Sequence, residues 1–361
     1  MHRSDICIAG GGIIGLSLAL ELHRRGLSVT VLDRGELLTE ASTAAAGMLA
    51  ASDPENPEAL CKLSNLSLEL YPAFLDRLKS LSGVAVPFHT VATLQSRPTP
   101  TSGTLSSEAL SLALPHLTPG NLSFTLIAEH SLDPRNLAAA VRAAVMSTSI
   151  NLRSNTPVLS AHSAGDSVEV RTASDVFQAA KFVNCTGAWA AHSGLNPTLP
   201  VTPKKGQMLA VALPAELPLH LVVRTHNIYI VPRTTGPMAG RAIIGATIED
   251  AGFNKTVFPA DIARLRSLAT NLLPGLANAT ELESWAGLRP STPDGLPFLG
   301  EVPGHRNQFV AAGHYRNGIL LAPATAYLMA QILTGEPSII NIDSFSPARN
   351  FAQFTDAPIA H

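Results

Sequence analysis

The sequence predicts an α/β protein of about two domains, and three observations carry that expectation. The chain has 361 residues, room for roughly two domains of ordinary size. Its first forty residues read as strand, glycine-rich turn, helix and strand. Its last third holds another strand, glycine-containing turn and apolar helix.

Composition narrows the class. Charged residues make up 14% of the chain, against a typical ~25%. With 46% apolar residues, such a chain packs a core rather than staying disordered. The net charge is −2, with no basic tract and no acidic tail, so no nucleic-acid partner is expected. Cys7, Cys61 and Cys185 are far apart and form no CxxC pair, so no metal is expected and a reducing, cytoplasmic compartment fits. Two stretches call for a membrane test. Residues 6–20 hold four glycines and lack a cleavage site. Residues 317–335 carry no charge but are interrupted by Pro323, Thr325 and Gln331. Both read as buried structure, and no integral membrane segment is expected.

The N-terminal elements follow one after another. Ile6, Cys7, Ile8 and Ala9 read as a buried strand. Gly10, Gly12 and Gly15 give G-x-G-x-x-G. A helical pattern continues through Leu22, and Gly26 stands where a helix ends. Val29, Thr30, Val31 and Leu32 form the next strand, ending at Asp33. Gly10 permits the tight turn, Gly12 lets backbone approach a pyrophosphate, and Gly15 lets helix pack on strand. The helix start offers free N–H groups, and Asp33 can accept from a ribose hydroxyl. The small-residue segment 40–49 comes next. Ser42 and Thr43 there can reach phosphate oxygens, or the segment is only an alanine-rich turn.

Residues 60–78 read as an amphipathic helix interrupted near Pro72, and 96–107 as a surface loop. Asp133 with Pro134 starts a further helix. Strands are expected at 158–159, 167–171 and 181–185. Thr186, Gly187 and Trp189 follow the last of these, as a second cofactor approach or an ordinary turn. Residues 199–212 and 227–247 look β-like. Residues 309–313 read as a strand, 314–318 as a turn, and the chain from Ile319 as a helix. Pro323 is early enough there to be tolerated near the first turn. The N–H groups of Gly318, Ile319 and Leu320 face an electron-rich ligand atom if one binds. Arg289 and Arg316 stand out in a charge-poor chain. Each needs an anion, either a substrate carboxylate or a structural Asp or Glu. Tyr229 offers a hydroxyl or is a core residue.

With these residues in view, the chain resembles the D-amino-acid oxidase superfamily of FAD enzymes, and within it the glycine oxidases. The resemblance rests on residues 6–15, 41–49, 63–72, 133–135, 205–208, 229–233, 287–290 and 313–323. It implies a two-domain α/β (α+β) FAD-dependent oxidoreductase. A Rossmann-like FAD-binding domain is built from 1–82, 129–196 and 283–361. An antiparallel-sheet substrate domain is built from 83–128 and 197–282. It implies that FAD is held by Gly10, Gly12, Ile13, Ile14, Gly15, Asp33, Arg34, Ser42, Thr43, Ala45, Gly47, Met48 and Val158. Thr186, Gly187, Trp189, Arg316, Asn317, Gly318, Ile319 and Leu320 complete that set. It implies further that Arg289 grips a substrate carboxylate, with Tyr229 assisting and Arg316 nearby.

The implied reaction is oxidation of a small amino acid, glycine first among them, to the imino acid. Hydride passes to flavin N5, oxygen becomes hydrogen peroxide, and the product feeds thiamine thiazole synthesis. No cysteine lies near Arg289 or Arg316, so the FAD is noncovalent. The family often carries His two residues before the tyrosine, where this chain has Asn227 beside His226. An alternative is a D-amino-acid or proline dehydrogenase passing electrons to a quinone. A flavin-binding scaffold and a nicotinamide enzyme are further alternatives. Oligomeric state stays open, a homo-oligomer included.

Overall fold

Ile6, Cys7, Ile8 and Ala9 are buried, as a strand covered on both faces requires. They end the strand His2–Ala9 at the centre of an eight-stranded sheet. The computed structural model describes residues 2–191, 195 and 199–351. The central path runs Phe298–Glu301, Gln308–Ala312, Val176–Asn184, His2–Ala9, Val29–Leu32, Asn151–Arg153. Four of the five pairings on this path are parallel, and only the Phe298–Glu301 edge is antiparallel. Ser160–Ala164 and Ser167–Arg171 branch off as a hairpin against Val176–Asn184. Val158 and Leu159, expected as a strand, instead precede this hairpin. The strand begins only at Ser160, because the turn at 154–155 sends the chain past Asp33 first: Thr156 N–H donates to the Asp33 carbonyl at 2.6 Å.

A second sheet of seven strands runs Glu281–Ser291, Thr202–Ala212, Arg241–Gly245, Tyr229–Arg233, Val222–Arg224, Thr93–Arg97, Ser123–Ile127. Its pairings are antiparallel except Val222–Arg224 with Thr93–Arg97. The expected domain boundary at 283 falls inside Glu281–Ser291, which pairs with Thr202–Ala212 along its whole length. The boundary at 196/197 lies outside the described residues. Each sheet has its own apolar cluster. A smaller cluster, with Ala46, Val231 and Ile243, joins segment 46–48 to the second sheet.

Helix Ile13–Arg24 ends as expected, with Gly26 at φ +82° just beyond it. Helix Pro134–Met146 is capped by Asp133, whose side chain accepts from Arg135 N–H. Helix Gly318–Thr334 is almost wholly buried. No described helix is long and apolar enough to cross a membrane.

Two prolines sit deeper in helices than the sequence suggests. Helix Cys61–Ser82 runs unbroken through Pro72. Its inner face is buried, Leu63, Ser67, Tyr71 and Leu78 included, so tertiary packing overrides the local break. Pro323 is the sixth residue of Gly318–Thr334 and lacks the N–H that would serve the Ile319 carbonyl. Tyr71 supplies it: its hydroxyl donates to Ile319 O at 2.6 Å. Ser67 bridges the next gap, donating to Leu320 O at 2.6 Å and accepting from Ala324 N–H at 3.2 Å. Pro323 is therefore tolerated because the neighbouring helix repairs the ladder. Tyr71→Phe should cost about 1–3 kcal/mol, the penalty of an orphaned buried acceptor. Denaturant unfolding checks this, and an unchanged midpoint would refute it.

Candidate active site

The carboxyl ends of four strands in the first sheet converge, the usual ligand edge of an open parallel sheet. They deliver the 10–15 turn, Asp33, Thr186 and the 313–318 turn. Gly10 has φ +108°, and a Cβ there would lie 2.3 Å from Cys185 O. A Cβ on Gly15 would lie 2.0 Å from Gly10 O. Those two glycines are demanded by the chain itself. Gly12 is not: its φ is −79°, and a Cβ would meet nothing nearer than Ser42 Oγ at 3.4 Å. Gly11 N–H donates to Asp33 Oδ2 at 2.6 Å, and Ile13 N–H to Ser42 Oγ at 2.9 Å. Gly12 and Ile14 N–H have no acceptor among the described residues. Open donors at a helix start, over a glycine the fold does not need, fit a pyrophosphate.

The rest of the edge is compatible. Asp33 also accepts from Gly35 N–H at 2.8 Å, and each of its oxygens keeps a lone pair for a ribose hydroxyl. Burial raises the Asp33 pKa, and the Gly35 and Gly11 bonds oppose that rise. Arg34 lies 3.5 Å over the Trp189 ring, which stacks on Phe253. Thr186 bonds Asn184 Oδ1 at 2.7 Å, and Gly187 takes φ +57°. Val158 has no ladder partner among the described residues, which leaves its backbone available to a ligand. Gly318, Ile319 and Leu320 N–H likewise lack acceptors among the described residues, as a first helical turn leaves them. His314, just before them, is buried against Thr325 Oγ1 at 3.1 Å, and burial lowers its pKa to about 3.

Segment 41–48 lies between the two sheets and is fixed by three contacts. Thr43 Oγ1 donates to Leu38 O at 2.9 Å, Trp285 Nε1 to Ala44 O at 3.0 Å, and Arg233 Nη2 to Ala46 O at 2.8 Å. Gly47 takes φ +86° where a Cβ would lie 2.0 Å from Leu132 O. Ala45 lies two residues before it and Met48 directly after, and Met48 bridges to Ser131. Burial lowers the Arg233 pKa to about 10, so it stays charged at neutral pH. A cleft of about 210 Å³ opens behind Thr43 and Ala44. Its cations, Arg135 and Lys255, are already paired with Glu283 at 2.6 Å and Glu40 at 2.9 Å.

The second sheet contributes a polar corner. Trp285, Met208, Gly245 and Tyr229 form one row across four strands. The Tyr229 hydroxyl donates to Met208 Sδ at 3.1 Å. Burial raises its pKa, and Arg289, then Arg316 and Arg233, offset part of that rise. Tyr229 is thus a protonated donor at neutral pH, with Arg289 and Arg316 both bearing on it. The Arg289 guanidinium lies directly over Gly206, where a Cβ would be 2.3 Å from Nη2. Its Nη1 donates to Thr247 O at 3.1 Å. No carboxylate lies within 4.0 Å of it among the described residues.

Arg316 is placed differently. The turn that carries it is tied to Arg289's strand by Tyr315 N–H on Pro290 O at 2.8 Å. Yet its guanidinium pairs with Glu55 at 2.5 Å and Asp53 at 3.5 Å. Of the two arginines, the structural ion pair belongs to Arg316 and the unpaired guanidinium to Arg289. Asn317 Nδ2 bonds Asn56 Oδ1 at 2.9 Å, and His226 Nδ1 meets Glu55 Oε1 at 3.0 Å. Residues 53–56, Gly206, Arg233 and Trp285 were not legible as site residues. Only the acidic pair Asp53 and Glu55, soon after the small-residue segment in a charge-poor chain, offered a signal.

The fold and this edge define a dinucleotide-dependent oxidoreductase. Residues 5–332 match the family described as FAD dependent oxidoreductase, and the chain belongs to it. The nicotinamide alternative falls. The chain is 32% identical to a glycine oxidase of Geobacillus kaustophilus, covering 98% of both. It is 38% identical to a bifunctional ThiO/ThiG protein of Trichormus variabilis, covering 98% of this chain and 56% of that protein. The crystal structure of the Geobacillus kaustophilus enzyme superposes with a TM-score of 0.89 over 97% of this chain and all of that one, at 31% identity. An iminodiacetate oxidase from Chelativorans superposes at 0.82, with 25% identity, over 95% of this chain and 98% of that one.

Proposed function

We propose that this protein oxidises glycine to its imino acid, with oxygen as acceptor. The observation that carries the reading is Arg289, a guanidinium without a carboxylate partner among the described residues, held over Gly206 beside the Tyr229 hydroxyl. A substrate carboxylate would complete it by a two-point pairing. Relatives named glycine oxidase, matched over nearly their whole length, support the choice of amine.

FAD, when bound, supplies the two-electron acceptor for hydride and hands the electrons to oxygen. The chain's own residues orient and stabilise. Arg289 and Tyr229 hold the carboxylate. Met208 and Trp285 floor the corner beside Tyr229 and suit a small side chain. The N–H groups of Gly318, Ile319 and Leu320, without acceptors among the described residues, would stabilise negative charge on bound FAD. No side-chain base is needed if the amine binds neutral. The pieces 1–82, 129–196 and 283–361 would hold FAD and the remaining pieces the substrate.

Relatives fused as ThiO/ThiG support delivery of the imine to thiazole synthesis. Three unpaired cysteines suit a reducing cytoplasm. Glycine-dependent oxygen uptake with one peroxide per oxygen is the test. Turnover with a quinone and no peroxide would select the dehydrogenase reading instead.

A further inference from the structure

We propose that Asp53 and Glu55 set the charge selectivity of the site, admitting amines with one carboxylate and rejecting those with two. The inference rests on the reading that Arg289 takes the substrate's first carboxylate. Arg316 sits on the turn that Tyr315 N–H ties to Pro290 O, next to Arg289, at 2.8 Å, and its charge also reaches Tyr229, so it is the group that would attract a second carboxylate. It is already engaged: Nη1 meets Glu55 Oε2 at 2.5 Å and Nη2 meets Asp53 Oδ2 at 3.5 Å.

The two acids are firmly held. Asp53 also faces Arg224 Nε at 3.9 Å, and Arg224 pairs with buried Glu129 at 3.0 Å. Glu129 in turn accepts from Ser52 N–H at 3.2 Å. Glu55 accepts from His226 at 3.0 Å, and its own N–H bonds Asp53 Oδ1 at 3.0 Å. Asn56 ties the segment to Asn317 and to Ala50 O.

The local sum is unfavourable to a second anion. Two guanidinium groups, Arg316 and Arg224, face three carboxylates, Asp53, Glu55 and Glu129. Those five groups together carry one net negative charge. The Asp53 side chain is only 13% exposed and that of Arg316 26%, so water screens this pair weakly, while Glu55, at 38%, is more open to solvent. A dianionic amine must either face this charge or displace Asp53 and Glu55 from Arg316, stranding both. Like charges so juxtaposed suppress wrong ligands strongly.

The test compares glycine with iminodiacetate, an amine bearing two carboxylates, in the holoenzyme and in Asp53→Asn/Glu55→Gln. The variant removes two negative charges and frees Arg316. The ratio of kcat/KM for iminodiacetate over glycine should rise about tenfold or more, mainly through KM. An unchanged ratio, with glycine still turned over, overturns the proposal. Glu55→Gln alone keeps the Asp53 contacts and should shift the ratio in the same direction, which covers misfolding of the double variant. Binding of acetate and malonate, read by perturbation of the flavin spectrum, separates this proposal from the glycine reading. Malonate tightening over acetate in the variant supports the charge gate even where glycine is not a substrate, and equal tightening of both refutes it.

Discussion

Replacing Arg289 by alanine should lower kcat/KM for glycine by about 2–5 kcal/mol, on the order of 30- to 5,000-fold. Its guanidinium is half-buried, pinned over Gly206 and bonded to Thr247 O. No carboxylate among the described residues pairs with it. The substrate carboxylate loses its one formal countercharge in the variant, while Tyr229 alone keeps a neutral donor. Lysine should not restore the rate, because a point charge lacks the planar fork that pairs with a carboxylate at two points. FAD content should be unaffected, since the Arg289 side chain bonds Lys205 O and Thr247 O in the second sheet. Unchanged catalytic efficiency with glycine, at full FAD loading, would remove Arg289 from the site.

Gly12→Ala should leave the fold intact and weaken FAD binding on the order of 10- to 100-fold, the worth of one charge-assisted hydrogen bond. The backbone at Gly12 is in an ordinary extended region, and no protein atom crowds an added Cβ. The methyl group would occupy the space through which the Gly12 and Ile14 N–H groups meet phosphate. Gly10→Ala and Gly15→Ala are different experiments. Their Cβ atoms strike backbone, so they should lose the fold along with the cofactor. Equilibrium titration of the apoprotein with FAD, beside unchanged circular dichroism, checks the claim. Wild-type affinity in Gly12→Ala would show that the turn serves packing alone.

The parts of the fold written in local sequence were legible. The βαβ unit, the Asp133–Pro134 cap and the strand–turn–helix around Gly313 to Gly318 each depend on residues within one or two turns of chain. The misses depend on distant partners. Pro72 and Pro323 looked like breaks or helix-start residues, and only the packing of Cys61–Ser82 on Gly318–Thr334 shows how Tyr71 and Ser67 complete the ladder. The site divides in the same way. Arg289, Tyr229 and Arg316 stood out by type in a charge-poor chain. That Arg316 is paired and Arg289 is not depends on Asp53 and Glu55, more than 250 residues earlier. Arg233 on the Ala46 carbonyl is a contact of the same long-range kind. Single-sequence periodicity carries no information about such pairings.

The visible spectrum of the purified protein, recorded without oxygen before and after glycine is added, decides whether glycine reduces the flavin. An oxidised flavin spectrum should bleach with glycine and return when oxygen is admitted. A flavin that stays oxidised at saturating glycine would contradict this and send the search to other amines.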